Sequence, residues 1–284
     1  MKVIVTGAAG MLGRQVVEEY LKRGANVVPL TRRELDITDR DAVFSLIDKV
    51  GPGLVVNCAA YTNVDGAEEE RDKAFAVNGL GPRYLALACR RVNAAIVHIS
   101  TDYIFDGKAE RPYNIYDLSN PINVYGESKY TGEAAVREIG GRFYVVRTSW
   151  LFGPGGRNFV DTILKLARGK SELKVVDDQY GTPTYTKDLA CLLADLAGTG
   201  IYGTYHATNS GATTWFGLAG KVVEVAGLTA EVEPCRTEEY PRPAARPRYS
   251  VLNPFPLKQV AGYCLPPWED AVRRYINHVR NEEY

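Results

Sequence analysis

Histidine is scarce in this 284-residue chain and clustered cysteine is missing. It holds three histidines and five cysteines (Cys58, Cys89, Cys191, Cys235, Cys264), and the cysteines are scattered, odd in number and form no C-x-x-C. That pattern argues against a structural zinc site or a disulfide framework, and reduced thiols suit a cytoplasm. A surplus of charge is also missing: 34 basic side chains face 34 acidic ones. No long-range field is therefore available to gather nucleic acid or an anionic membrane. No apolar run approaches the roughly 18 residues that span a bilayer, and the opening "MKVIVTGAAG" is not a charged leader before a long apolar stretch. These absences set the expectation of a cytoplasmic protein with a small-molecule partner, and of no metal, nucleic acid or membrane.

What is present is a regular alternation. Short apolar runs at 2–6, 26–30, 53–60, 94–100 and 142–150 read as buried parallel strands. Between them, 10–24, 38–50, 67–92 and 124–139 carry helical spacing, with a capping Thr38 opening the second and an interruption near Gly79–Pro82 in the third. The pattern predicts an α/β fold, a Rossmann-type doubly wound parallel sheet with right-handed crossovers. After about residue 150 it loosens into short helices (157–169, 185–197, 213–226, 267–281) and proline-rich loops such as "YPRPAARPRYS". The expected organisation is a dinucleotide-binding domain over 1–150, rejoined by a segment near 183–205. A smaller α/β substrate lobe is expected over 151–284.

"TGAAGMLG" (6–13) places Gly7, Gly10 and Gly13 between the first strand and its helix. Gly7 permits the tight turn, Gly10 lets the backbone approach a pyrophosphate, and Gly13 lets helix and sheet pack closely. Met11 and Leu12 lie in the same turn, where free N–H groups favour phosphate. The strand–turn–helix context makes this a dinucleotide site. Arg32 and Arg33 stand at the end of the second strand, in "LTRRELDIT". An acid there would favour NAD, whereas arginine accommodates a 2′-phosphate, so NADPH is slightly favoured and NADH stays open.

Tyr125 and Lys129, in "NVYGESKY", lie one helical turn apart on a common face. Chance alone supplies about one such pair in a chain this rich in tyrosine, so the surroundings decide. A nearby ammonium is expected to lower the phenol's pKa toward neutrality, fitting it for proton exchange. Open parallel sheets bind ligands at the C-terminal ends of their strands, and there "HISTDYIFDG" (98–107) offers Ser100 and Thr101.

The G-x-x-G-x-x-G spacing and the Thr, Tyr-x-x-x-Lys set resemble the extended, nucleotide-sugar branch of the short-chain dehydrogenase/reductase superfamily. That resemblance implies catalysis by Thr101, Tyr125 and Lys129, with Tyr125 as proton donor to a substrate ketone and Lys129 also on the nicotinamide ribose. It places Asp36 and Ile37 at the adenine and Ala59, Ala60, Tyr61 and Thr62 along the cofactor. Sugar dehydratases of the branch carry Thr-Asp-Glu where this chain has Thr101-Asp102-Tyr103, so the base for elimination is missing. Segments almost end to end, among them "NCAAYTNVD", "STDYIFDG", "RTSWLFG", "DDQYGTPTY" and "ARPRYSVL", closely resemble the dTDP-4-dehydrorhamnose reductase family. Cys58 departs mildly, since the family's loop begins Asn-Ala-Ala-Ala-Tyr-Thr. The resemblance implies NAD(P)H-dependent reduction of a 4-keto dTDP-sugar for cell-surface polysaccharide. Thr101, Asp102 and Trp150 would then contact the sugar and Arg246 the diphosphate. Residues 158–160 and 177–184 would line the nucleotide end. A reductase of another dTDP-keto-deoxysugar and a non-catalytic NADP-binding regulatory subunit remain as alternatives, and a homodimer stays open.

Overall fold

In the computed structural model, which describes residues 1–282, the first strand β1 (Lys2–Thr6) leads into α1 (Met11–Lys22). There follow β2 (Asn26–Leu30), α2 (Arg40–Val50), β3 (Leu54–Asn57), α3 (Val64–Glu69), α4 (Arg71–Phe75), α5 (Gly81–Arg91) and β4 (Ala95–Thr101). Next come α6 (Val124–Ile139), β5 (Phe143–Thr148), β6 (Leu151–Phe152), α7 (Phe159–Gly169), β7 (Glu172–Val176), β8 (Tyr180–Gly181) and β9 (Thr184–Tyr185). The chain closes with α8 (Thr186–Thr199), β10 (Gly203–His206), β11 (Thr213–Thr214), α9 (Trp215–Ala226), β12 (Glu231–Cys235), α10 (Leu257–Ala261) and α11 (Trp268–Glu282).

Six strands form one sheet in the order β10-β5-β4-β3-β1-β2, and every neighbouring pair is parallel. The apolar runs are continuous because both faces are covered. Val3 and Val5 enter the core under α1 and α8, whereas Ile4 enters the core under α2 and α5. Strand order reverses between β1 and β3, and a crevice at such a reversal is where ligands bind. A further core joins α7, α9 and α11 to the parallel pair β7–β12, through Leu164, Leu173, Val222, Val272 and Tyr275. Meanwhile α8 contributes Leu189, Leu192 and Leu196 to the core under β1, and β10 pairs with β5.

Three local expectations change. The cap of α2 is Asp39, whose carboxylate accepts from the Ala42 amide. Thr38 instead gives its hydroxyl and amide to Asp36. Strand β3 stops at Asn57, so residues 58–62 leave the sheet and become available to a ligand. The break expected near Gly79–Pro82 is a π-helical turn, Ala76–Leu80, a feature frequent at functional sites. Asn78 on that turn accepts from the Tyr61 amide, and its own amide group donates to the Tyr61 carbonyl and to the Ser128 hydroxyl. The π turn thereby ties the loop after β3 to α6. Among the described residues, no helix is long and apolar enough to cross a membrane.

Candidate active site

The first strand ends at Thr6, and Gly7 turns the chain at φ 67°. A Cβ on Gly7 would stand 2.6 Å from the Ala59 amide nitrogen, so only glycine fits. Gly10 is the N-cap of α1 and gives that helix no side-chain cap, and no acid lies in its first turn. By contrast, α2, α3, α6, α7 and α9 are capped by Asp39, Asn63, Asn123, Asn158 and Thr214. An uncapped, acid-free helix start holds free N–H groups and a partial positive charge, which is what a phosphate requires.

This turn floors a cleft of about 740 Å³ along the C-terminal ends of the central strands. Residues 10–13 and 59–62 line it, with Arg32, Asp36 and Ile37 at one end and Thr101, Asp102, Tyr125, Lys129 and Trp150 at the other. The donor set fits a pyridine dinucleotide. Arg32 reaches Asp36 across 3.2 Å, and the Thr38 amide holds the Asp36 carboxyl below its ordinary range, helped by the Thr38 hydroxyl and Arg32. Tyr61 lines the cleft while its hydroxyl donates to Glu70 at 2.6 Å.

At the other end Tyr125 rises from the first turn of α6, capped by Asn123. Its ring meets Tyr103 edge-on, with centroids 5.9 Å apart. Burial pushes the phenol up to about 12; the Asp102 charge adds to this and the Thr101 hydroxyl opposes it. The expected lowering by Lys129 is therefore not found. That ammonium is 3% exposed and donates to the Ile99 carbonyl at 2.5 Å. Burial brings Lys129 down to about 8, while Glu133 and Cys58 pull it back up. A phenol held protonated is a donor, not a base, and that suits reduction of a ketone.

Asp102 is 2% exposed, accepts from the Thr101 hydroxyl at 2.9 Å and has no hydrogen-bond partner on Oδ2. A buried polar atom left unpaired beside a cleft marks the place for a ligand's donor. Burial raises its carboxyl to about 6, against the pull of the Ser250 and Thr101 hydroxyls. An unfolded Asp titrates near 4, so folding takes up a proton between about pH 4 and 6, and stability falls across that window as pH rises. Asp102→Asn is accordingly expected to stabilise the unliganded protein at pH 7 by on the order of 2 kcal/mol, with the gain vanishing near pH 4. Thermal unfolding at the two pH values checks it; equal shifts at both would show that this carboxyl carries no burial penalty.

Comparison with known proteins agrees with this geometry. Residues 1–281 match the family model described as the RmlD substrate binding domain. The chain belongs to that family.

A dTDP-4-dehydrorhamnose reductase of Streptomyces griseus is 48% identical over 276 residues, covering 95% of this chain and 91% of the relative. The crystal structure of a dTDP-4-dehydrorhamnose reductase from Clostridium acetobutylicum superposes with a TM-score of 0.97 at 42% identity, over 99% of this chain and 100% of that one. The Bacillus anthracis reductase, crystallised in complex with NADP, gives 0.94 at 41%, over 98% and 99%. The resemblance read from the motifs is thus borne out for the family and for the Rossmann-type fold.

Within this family fold, Trp150 takes an unusual backbone, with φ 46°. A bulky residue there costs about 1–3 kcal/mol and persists only where its surroundings enforce it. Here the enforcers are Trp215, stacked at 3.5 Å between centroids and 8° between planes, and Gly181, where any side chain would overlap the indole. Arg33 and residues 158–160 and 177–184 do not line the cleft, and neither does Arg246. It pairs with Asp65 at 2.9 Å and donates to the Ala244 carbonyl. The same strap touches the helix carrying Tyr125, since the Asn123 amide group donates to the Ala245 carbonyl.

Some lining residues escaped the sequence reading. Gly156 and Arg157 line the cleft opposite α1, and a Cβ on Gly156 would approach the Met11 Cβ to 3.1 Å. The run Gly153-Pro154-Gly155-Gly156-Arg157 carried that signal, a second glycine loop made for close approach. Cys58, Ser149 and Lys73 also line the cleft, but no local signal marks them.

Proposed function

We propose that this chain reduces the 4-keto group of dTDP-4-dehydro-L-rhamnose to the alcohol of dTDP-L-rhamnose, with NADPH or NADH as reductant. One observation carries the reading. A protonated phenol, a hydroxyl and a buried ammonium meet at one end of a cleft whose floor is an open helix start suited to a dinucleotide. A reduced nicotinamide bound there supplies a hydride equivalent to the carbonyl carbon. Tyr125 gives its proton to the carbonyl oxygen as negative charge grows there, and Thr101 donates a hydrogen bond to the same atom. Pre-aimed donors of this kind contribute about 3–4 kcal/mol each to the developing oxyanion. Lys129, anchored on Ile99, holds its ammonium toward the nicotinamide ribose, and the tyrosinate left behind takes its proton back from solvent. Ketone, reduced cofactor and one proton thus become alcohol and oxidised cofactor. Asp102, with its unpaired Oδ2, accepts a sugar hydroxyl, and the Trp150 face covers the apolar side of a deoxysugar.

In this reading residues 1–150, with the segment near 183–205, hold the dinucleotide, and the remainder of 151–284 holds the sugar nucleotide. Arg246 joins the diphosphate only if Asp65 releases it. A purely regulatory subunit would have no need of the proton donor. The test is a mixture of freshly epimerised 4-keto dTDP sugar with either reduced cofactor. Loss of the reduced-nicotinamide absorbance, with dTDP-L-rhamnose identified by NMR, is expected with both cofactors and faster with NADPH. No oxidation would remove the reading, and a tenfold or greater preference for NADH would remove the role given to Arg32 in favouring the 2′-phosphate.

A further inference from the structure

Behind the cleft lies a charged group that the chemistry above does not use. Glu133 is 0% exposed and stands one helical turn beyond Lys129 on α6. Its Oε2 accepts from the Ser100 hydroxyl at 2.8 Å. Arg147 on β5, itself 2% exposed, holds the same carboxylate through Nε at 3.1 and 3.2 Å and through a second guanidinium nitrogen, and Arg137 adds a further contact. Arg147 in turn reaches the Ile115 carbonyl and His206 of β10. His206 is held down to about 3, chiefly by burial with Arg147 adding, and so stays neutral.

The arrangement makes two consecutive clamps between α6 and β4. Lys129 grips the carbonyl of Ile99, and Glu133 grips the side chain of Ser100; the next residue is Thr101. The spacing between the hydroxyl of Thr101 and the helix face bearing Tyr125 and Lys129 is therefore set from behind. A buried ion cluster is a costly way to hold a helix, because desolvation offsets much of the attraction. An apolar contact would hold it at less cost, so the charge calls for a reason.

We propose that Glu133 is a positioning residue for the reaction, fixing the register of α6 on β4 and supplying the negative charge that keeps the Lys129 ammonium protonated. This inference rests on the ketone-reductase reading. The groups acting on Lys129 are Glu133 from its own helix, Cys58 from the segment after β3, and His98 with the Ile99 carbonyl from β4, while Arg147 of β5 and Arg137 of α6 are paired with the Glu133 carboxylate. His98 is driven well below its ordinary value by burial, with Lys129 adding, and Cys58 is pushed up to about 12 by burial. Both are neutral near pH 7, which leaves Glu133 as the charge opposing the desolvation of Lys129.

The test reads Lys129 directly, through NMR titration of the full chain labelled at lysine Cε, assigned with Lys129→Met. Wild type is expected to titrate near pH 8. Glu133→Gln is expected to lower that value by about one unit, and Glu133→Asp to keep it near wild type. The alkaline loss of kcat should move with the titration, in the same direction and by the same amount. Ser100→Ala, which keeps every charge, should leave the titration in place and lower kcat about fivefold, an effect of the order of one lost hydrogen bond, with NADPH affinity unchanged. Should Glu133→Gln fail to fold because Arg147 is left uncompensated, the double variant Glu133→Gln/Arg147→Met removes the ion pair together, and a fall in the same direction is expected. A Lys129 titration that stays at its wild-type value in folded Glu133→Gln, or in the folded double variant, would overturn the proposal, as would wild-type kcat in Ser100→Ala. The NMR readout needs no turnover, so a different sugar substrate would leave it intact.

Discussion

Replacing Tyr125 by phenylalanine is expected to lower kcat at least about a hundredfold, the usual share of a positioned acid, while NADPH still binds within about twofold of wild type. The phenyl ring keeps the edge-on contact with Tyr103 and the packing at the start of α6, so the fold has no reason to change. What disappears is the hydroxyl that faces the cleft beside Thr101, and the carbonyl oxygen must then take its proton from water. The raised phenol, about 12, also fixes the pH behaviour. Tyr125 is protonated throughout the ordinary range, so an alkaline decline near pH 8 belongs to Lys129, whose charge is lost as pH rises through its own value. Stopped-flow turnover with parallel titration of NADPH binding checks the prediction; near-normal turnover in the variant would refute Tyr125 as donor.

Gly13→Ala should be almost as damaging, through a different route. The methyl group would overlap the Gly7 carbonyl and crowd Ala8 Cα at 3.0 Å, with backbone on both sides and no flexible side chain to yield. Either α1 moves away from the sheet or the turn opens. Overpacking of this kind costs about 1–3 kcal/mol or more, and either adjustment displaces the helix start that faces the phosphates. The expected outcome is at least about a tenfold loss of NADPH affinity together with a lower Tm, measured by calorimetry and thermal unfolding. Retained affinity would mean that close approach at Gly13 does not shape the phosphate site.

The glycine turn, the strand alternation and the Tyr-x-x-x-Lys pair were legible because each depends on neighbours a few residues apart. Gly7 needs a positive φ, β-strands need apolar runs, and a helix puts residue 125 beside 129. The same locality explains where the reading slipped. Thr38 looked like a cap, yet Asp39 beside it competes for the same task and wins, while Asp36 engages Thr38. The fall in the tyrosine's pKa was inferred from spacing, but the Lys129 side chain is long enough to choose another partner, and it chose the Ile99 carbonyl.

By itself, the order of residues determined the parallel sheet, the dinucleotide turn and the family, since these follow from short-range periodicity and from motifs that survive as contiguous strings. Only the folded chain decided which charges are buried together. Glu133, Arg147 and Ser100 come from a helix and two strands, Arg246 found Asp65 across 181 positions of sequence, and Trp150 is held in its strained backbone by an indole 65 residues away. Desolvation and ion pairing depend on three-dimensional distance, which no local pattern encodes.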